Sequence, residues 1–210
     1  LRKFFIEKEG FIYIAGCLLF TAFLFVLYKP VSVIGLGLTV FITFFFRDPH
    51  RRYSQDVTHI ISPADGKVMA ITPLVENDFM KCEAIKVTIF LSLFNVHINR
   101  SPIAGTVKYV KYRPGKFLPA FKGHASEINE RNAIGIEGEG IKIIVHQITG
   151  FIARRIVCRV KEGDVLEKGE RFGLIKFGSC TEIIVPSNVE IKVKPGDKVK
   201  GASTIIGVMK

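Results

Sequence analysis

Apolar positions fall along this chain in two regimes. From Phe11 to Tyr28, eighteen residues carry no charge and are mostly apolar, and beyond Lys29-Pro30 sixteen more, Val31 to Phe46, continue the run. About 20 residues suffice to cross the hydrocarbon core of a bilayer. The run is too long for a signal-peptide core and lacks a small-residue cleavage site. It predicts either a hairpin of two short spans turning at Lys29-Pro30, or one span plus an interfacial segment. Arg2, Lys3 and Lys8 flank one end, and Arg47, Arg51 and Arg52 flank the other. If both flanks stay in the cytoplasm, the hairpin follows. A buried hairpin in a soluble protein would need cover on every side. Residues 1–46 are therefore read as a membrane-anchoring segment.

Past Arg52 short β-branched runs alternate with Gly, Pro and Asp. Candidate strands are Ile60-Ile61, Lys67–Ile71, Ala84–Leu91, Gly105–Tyr112, Asn132–Ile136, Ile141–Ile148, Arg155–Val160, Leu174–Phe177, Glu182–Val185 and Glu190–Val193. Such spacing predicts a mainly β domain over residues 47–210. Val160-Lys-Glu-Gly-Asp-Val-Leu-Glu-Lys-Gly169 is echoed by Val193-Lys-Pro-Gly-Asp-Lys-Val-Lys-Gly201. Paired units of this kind resemble the halves of biotinyl and lipoyl carrier domains, which implies a barrel-sandwich-like β domain with pseudo-symmetric halves. No strand returns after Met209-Lys210 to set a carrier lysine at a hairpin tip. The Gly135–Gly140 stretch has the wrong glycine order for a nucleotide loop and reads as a hairpin turn.

Composition adds a partner class. The chain carries a net charge of +11; residues 1–46 hold four basic and two acidic side chains, which leaves +9 on the rest. That balance favours an anionic partner, lipid surface or nucleic acid, and no finger spacing, helix-turn-helix or basic-aromatic pattern supports nucleic acid. Cys17, Cys82, Cys158 and Cys180 form no CxxC pair, so neither a zinc site nor a disulfide framework is indicated.

Three turn-like stretches carry candidate chemistry: Ser62-Pro63-Ala64-Asp65-Gly66, Asn95-Val96-His97-Ile98-Asn99-Arg100, and Phe177-Gly178-Ser179-Cys180. Taken singly, an Asp before Gly caps turns, a His closing a strand packs, and Gly-Ser is a common turn pair. Together Asp65, His97 and Ser179 are the side-chain types of an acid–base–nucleophile relay. The G-x-S-x-G elbow of a hydrolase is missing around Ser179, which disfavours hydrolysis.

From about Arg47 onward the chain resembles the short, prokaryotic phosphatidylserine decarboxylases. The matching stretches are Phe46–Pro49, Ser62–Gly66, Phe94–Arg100, Asn129–Asn132, Gln147–Ile156 and Arg171–Ser179, in order across some 160 residues. The resemblance implies a proenzyme that cuts itself at Gly178-Ser179 into a large chain, 1–178, and a small chain, 179–210. Ser179 would attack the Gly178 carbonyl, His97 would take the hydroxyl proton, and Asp65 would orient the imidazole. Ser179 would end as an N-terminal pyruvoyl group, the cofactor, with no metal and no pyridoxal phosphate. That ketone, in Schiff-base linkage to the substrate amine, would serve as the electron sink for decarboxylation to phosphatidylethanolamine. The implied partners are an anionic phospholipid, the membrane surface and the chain's own two fragments as a heterodimer. The implied location is the cytoplasmic side of the cell membrane.

Longer relatives carry two histidines three residues apart, whereas Arg100 stands three after His97 here. Either His97 serves both self-cleavage and decarboxylation, or Arg100 binds the substrate carboxylate or phosphate as a fork donor. His146, within an apolar strand, is a reserve candidate that more often packs. Tyr112–Lys122 mixes apolar and basic residues on a Gly/Pro-containing loop, and Phe117 and Phe121 there are expected to dip into the interface and admit the headgroup. Two alternatives stay open: an archaetidylserine decarboxylase with the same chemistry, and a membrane-anchored β domain that binds anionic ligands without catalysis.

Overall fold

The computed structural model describes residues 4–118, 128–150, 155–176 and 179–210. It divides into two compact units, Leu1–His50 and Arg51–Lys210.

In the first unit, helices α1 (Phe11–Leu27) and α2 (Lys29–Phe45) are separated by Tyr28 alone, whose backbone is extended. The break thus precedes Lys29-Pro30, and Pro30 falls in the first turn of α2, where its missing N–H costs nothing. The helices lie antiparallel: Thr21 and Thr39 approach at 3.2 Å between hydroxyls, and the Tyr13 and Phe46 rings stack at 5.3 Å. Short strands β1 (Phe4–Ile6) and β2 (Arg47–Pro49) pair antiparallel beyond the helix ends. No residue of α1 is buried. The helical stretch Lys8–Leu27 is 20 residues long and, with a mean hydropathy of 2.4 over its best 18-residue window, is apolar enough to cross a membrane; α2, at 17 residues, is shorter.

The named strands of the second unit all pair antiparallel. Its strands are β3 (His59–Ile61), β4 (Gly66–Glu76), β5 (Cys82–Leu91), β6 (Ile98–Arg100), β7 (Gly105–Arg113), β8 (Arg131–Gly138), β9 (Ile141–Thr149), β10 (Arg155–Cys158), β11 (Val165–Leu166), β12 (Arg171–Lys176), β13 (Ser179–Pro186), β14 (Glu190–Ile191), β15 (Lys198–Val199) and β16 (Ile205–Val208). An eight-stranded sheet runs β11-β7-β8-β9-β13-β5-β4-β15, and two three-stranded sheets run β10-β12-β6 and β14-β16-β3. Alternate residues of the large sheet (Val87, Ile89 and Leu91; Ile143 and Val145; Ile183 and Val185) pack on Ile60, Phe172 and Ile206 of the small sheets to form the main core. A thinner layer of Ala84, Ala133, Ile144 and Ile184 covers the other face of the central strands. Burial on both faces explains the unbroken runs Ile183-Ile184-Val185 and Ile143-Ile144-Val145.

The fold is mainly β with a curled large sheet, and its halves repeat in detail. Outward from the β9–β13 pair the order is β8-β7-β11 on one side and β5-β4-β15 on the other. Lys161 N–H and Lys194 N–H each donate at 2.9 Å to the aspartate three residues on, Asp164 and Asp197. Gly163 and Gly196, at φ +95° and +99°, donate to Val107 O and Val68 O, each at 2.8 Å. A side chain would strain the backbone at both glycines. Ser62 Oγ donates to Ala64 O at 2.7 Å and Ser101 Oγ to Ile103 O at 2.6 Å, so the corners before β4 and β7 also match. They differ at the next residue: Asp65 in one corner, Ala104 in the other.

Candidate active site

Strand β13 occupies the middle of the large sheet, and Ser179 is its first residue, opposite Thr149 of β9 and Leu91 of β5. The preceding strand, β12, belongs to a small sheet and ends at Lys176. Strands β12 and β13 thus lie in different sheets and are not paired with each other. Gly178 lies outside the described residues. Ser179 is fully buried, and among the described residues its Oγ has no hydrogen-bond partner. An unsatisfied buried hydroxyl costs about 1–3 kcal/mol, so its retention asks for an explanation.

His97 stands one step beyond β6. Its carbonyl accepts from Ile175 N–H at 3.1 Å, which extends the β6–β12 ladder toward the connection that leads to Ser179. The ring is buried, with Nδ1 3.0 Å from Asn95 O. A carbonyl only accepts, so Nδ1 carries a proton, and whenever the ring is neutral its lone pair lies on Nε2.

Asp65 sits at the corner entering β4. Its Oδ2 accepts from Arg51 Nη2 at 2.7 Å and its Oδ1 from Gly201 N–H at 2.7 Å. Lys67 pairs with Phe90, so Asp65 and Gly66 flank Leu91 on the side away from Ser179. At one strand spacing per step, the corner is ~10 Å from Ser179 between Cα atoms. The structure thus places Asp65 and Ser179 at one end of the large sheet and His97 on the run that pairs with the last residues of β12, while the Asp65 carboxylate is bonded to Arg51 and Gly201 and not to His97.

Other expected residues are placed as follows. Arg100 is buried at the far end of β6, opposite Arg171, where its Nη1 donates to Gly169 O at 3.1 Å and braces that turn. Phe117 is half-buried. Phe121 lies outside the described residues. The base of their loop is clamped by Asn129: Oδ1 accepts from Leu118 N–H and Nδ2 donates to Leu118 O, both at 2.8 Å. Asn129 Nδ2 also reaches Thr149 O at 2.8 Å, so the loop is tied to the residue opposite Ser179.

A buried polar chain that sequence reasoning missed runs under Ser179. Asn99 Nδ2 donates to Thr181 Oγ1 (3.1 Å), Gln147 Nε2 to Asn99 Oδ1 (3.0 Å) and Asn132 Nδ2 to Gln147 Oε1 (3.2 Å). The only available signal was polar residues inside the matching stretches. On the opposite face, Glu182 Oε2 lies 3.0 Å from His146 Nδ1 and Glu182 Oε1 lies 3.4 Å from Lys86 Nζ. Burial lowers the His146 pKa against the pull of Glu182. Burial alone would raise that of Glu182, but the hydrogen bond and charge of His146, with Lys86, bring it below the usual value. Burial pushes the Cys180 thiol far up, so the residue after Ser179 is held as an inert thiol.

Comparison with known proteins bears on this end of the sheet. The family model for phosphatidylserine decarboxylase matches residues 38–207, which includes every strand just described around Ser179. The chain is 50% identical over 204 residues to the phosphatidylserine decarboxylase proenzyme of Carboxydothermus hydrogenoformans, covering 97% of this chain and 96% of that one. The chain belongs to the phosphatidylserine decarboxylase family. It is also 41% identical over 208 residues to the proenzyme of that name from Symbiobacterium thermophilum, and 43% identical over 206 residues to the one from Syntrophus aciditrophicus. Each alignment covers 97% or more of this chain and 97% of the relative. As a phosphatidylserine decarboxylase family member it has a serine with no partner among the described residues at the head of the central strand, and a histidine on the run that pairs with the end of β12.

Proposed function

We propose that the chain cleaves itself at Gly178-Ser179 and then decarboxylates phosphatidylserine to phosphatidylethanolamine and CO2 at the new N-terminus. The observation that carries this reading is the buried Ser179 hydroxyl without a partner, at the head of the central strand. Ser179 Oγ attacks the Gly178 carbonyl carbon, and His97 Nε2 accepts the hydroxyl proton and passes it to the departing amide nitrogen. The peptide becomes an ester between Gly178 and Ser179 Oγ. Loss of the Ser179 α-proton expels the Gly178 carboxylate and leaves dehydroalanine. One water then replaces its nitrogen, which leaves as ammonia, and residue 179 becomes pyruvoyl.

Asp65 acts through position and charge. Its ion pair with Arg51 and bond to Gly201 N–H hold a carboxylate at the corner beside Leu91, and the matching corner of the other half has Ala104. That replacement within a repeated frame supports a functional role for Asp65. The partnerless Ser179 Oγ fits the origin of a pyruvoyl group, because no bond to a neighbour must break for it to react. Such a group supplies a ketone that draws electrons from the substrate as CO2 departs. His97 Nε2 is the atom suited to return a proton to the product. After cleavage the small chain stays bound: β13 pairs with both β9 and β5, and β15 and β16 pair with β4 and β3, which supports a heterodimer of large and small chains.

Denaturing mass measurement tests the proposal. Active protein should resolve into two fragments, the small one ~17 Da lighter than plain hydrolysis gives, since turning an N-terminal serine into pyruvoyl loses one ammonia overall. Ser179→Ala should remain a single chain without turnover. An intact chain in an active preparation rejects the mechanism.

A further inference from the structure

Among the described residues two buried side-chain oxygens have no hydrogen-bond partner: Ser179 Oγ and Glu130 Oε2. They share one row of the sheet. Arg131 pairs with Ile148, and the next step brings Glu130 opposite Thr149, whose N–H donates to Glu130 O at 3.0 Å. Thr149 in turn pairs with Ser179. Residues directly opposite one another in a sheet project to the same face. Glu130 and Ser179 are thus on one face, ~10 Å apart between Cα atoms at two strand spacings. The parity agrees: Asn132, two residues on from Glu130, joins the polar chain that ends at Thr181.

Glu130 is 9% exposed. Its Oε1 accepts from Tyr112 OH at 2.9 Å, and that bond raises the Tyr112 pKa, as an acceptor carboxylate does. A buried carboxylate oxygen left bare is costly, and a cationic donor is the group that relieves it best. The serine headgroup carries an ammonium, a carboxylate and a phosphate. A fixed carboxylate repels the last two and attracts the first.

We propose that Glu130 Oε2 receives the ammonium of the serine headgroup and so sets the amine toward residue 179. The inference rests on the substrate reading above. It gives the site its discrimination for an amine-bearing headgroup, and it makes the Asn129–Glu130 pair a double anchor: Asn129 clamps the loop at Leu118, and Glu130 takes the ligand.

Binding to the uncleaved Ser179→Ala chain tests this apart from turnover. Calorimetric titration would compare glycerophosphoserine with its deaminated analogue, in which hydrogen replaces the ammonium. Adding Glu130→Gln should weaken glycerophosphoserine roughly tenfold and change the analogue by about twofold or less, as expected for loss of one charge-assisted bond. Glu130→Asp, which keeps the charge, should retain part of the preference, and it guards against reading a folding defect as lost binding. Equal losses for both ligands, or no loss, overturn the assignment. If the Ser179→Ala chain binds glycerophosphoserine no better than the analogue, the assignment also falls. If it binds neither, the substrate reading falls, and the assignment with it.

Discussion

Along β13 the side chains alternate, so Ser179, Thr181 and Ile183 face the main core while Cys180, Glu182 and Ile184 face the thinner layer. Glu182 is thereby committed to the second face, where Lys86 of β5 and His146 of β9 reach it and Arg131 adds positive charge nearby. The pH consequence has one sign. Burial keeps His146 neutral below its ordinary value, so the unfolded chain takes up protons first as pH falls from about 6.5. Glu182 is held below 4.5, so its contribution is full above that value and is lost as pH falls through its folded pKa. Stability should decline on acidification in two parts, one starting near pH 6.5 and one below 4.5. Glu182→Gln should remove the second part, keep the first, and cost ~1–3 kcal/mol at neutral pH by leaving partners short of an acceptor. Urea unfolding in detergent across pH measures it. Wild-type and variant curves that stay parallel below pH 4.5 would refute the account.

At the scale of elements, long strands were legible, and of the short ones Ile60-Ile61, Arg155–Val160 and Glu190–Val193 overlap β3, β10 and β14 while β6, β11 and β15 were not marked. Expected Ala84–Leu91, Gly105–Tyr112 and Ile141–Ile148 correspond to β5, β7 and β9 with an extra residue or two, because alternating or continuous β-branched runs carry the signal. Strand β6 escaped notice: it is three residues long, and Asn99 and Arg100 read as polar loop until tertiary burial makes them strand. For the same reason β13 was expected from Glu182 and starts at Ser179. The small polar trio Ser-Cys-Thr has turn chemistry, and only its two strand neighbours override it. The three residue types of the relay could be picked out one by one; the orphaned oxygens could not, because partnering is a property of the packed site. Strand β12 offers a direct test. A Cβ at Gly173 would collide with Val157 O, a backbone atom, beside the register shift between Arg171 and Gly173. Gly173→Ala should cost ~1–3 kcal/mol as an overpacking change and lower the melting temperature by several degrees. It should also slow self-cleavage, since β12 delivers the chain to Ser179 and supports His97. Cleavage at the wild-type rate in a destabilised variant would separate β12 from the site.

Two features of the chain suit an anionic membrane, and they would respond differently to salt. The first unit presents an apolar helix long enough to span, and its burial in lipid would be insensitive to ionic strength. Residues 47–210 carry +9 of the charge, and basic groups near an anionic surface contribute ~1 kcal/mol each, within a Debye length that shrinks as salt rises. All the residues assigned to chemistry, Asp65, His97, Glu130 and Ser179, belong to the second unit. A chain lacking residues 1–46 should therefore still cut itself in two. It should bind vesicles rich in anionic lipid at low salt and leave them at about 0.5 M salt, where the screening length is only a few ångströms. The full chain should stay bound at both. On vesicle substrate at high salt the shortened chain should turn over at least about tenfold more slowly than the full chain, and on a short-chain soluble substrate the two should agree within roughly twofold. Vesicle flotation with fragment analysis of the same samples checks each expectation. Failure of the shortened chain to self-cleave would mean that the first unit completes the site as well as anchoring it.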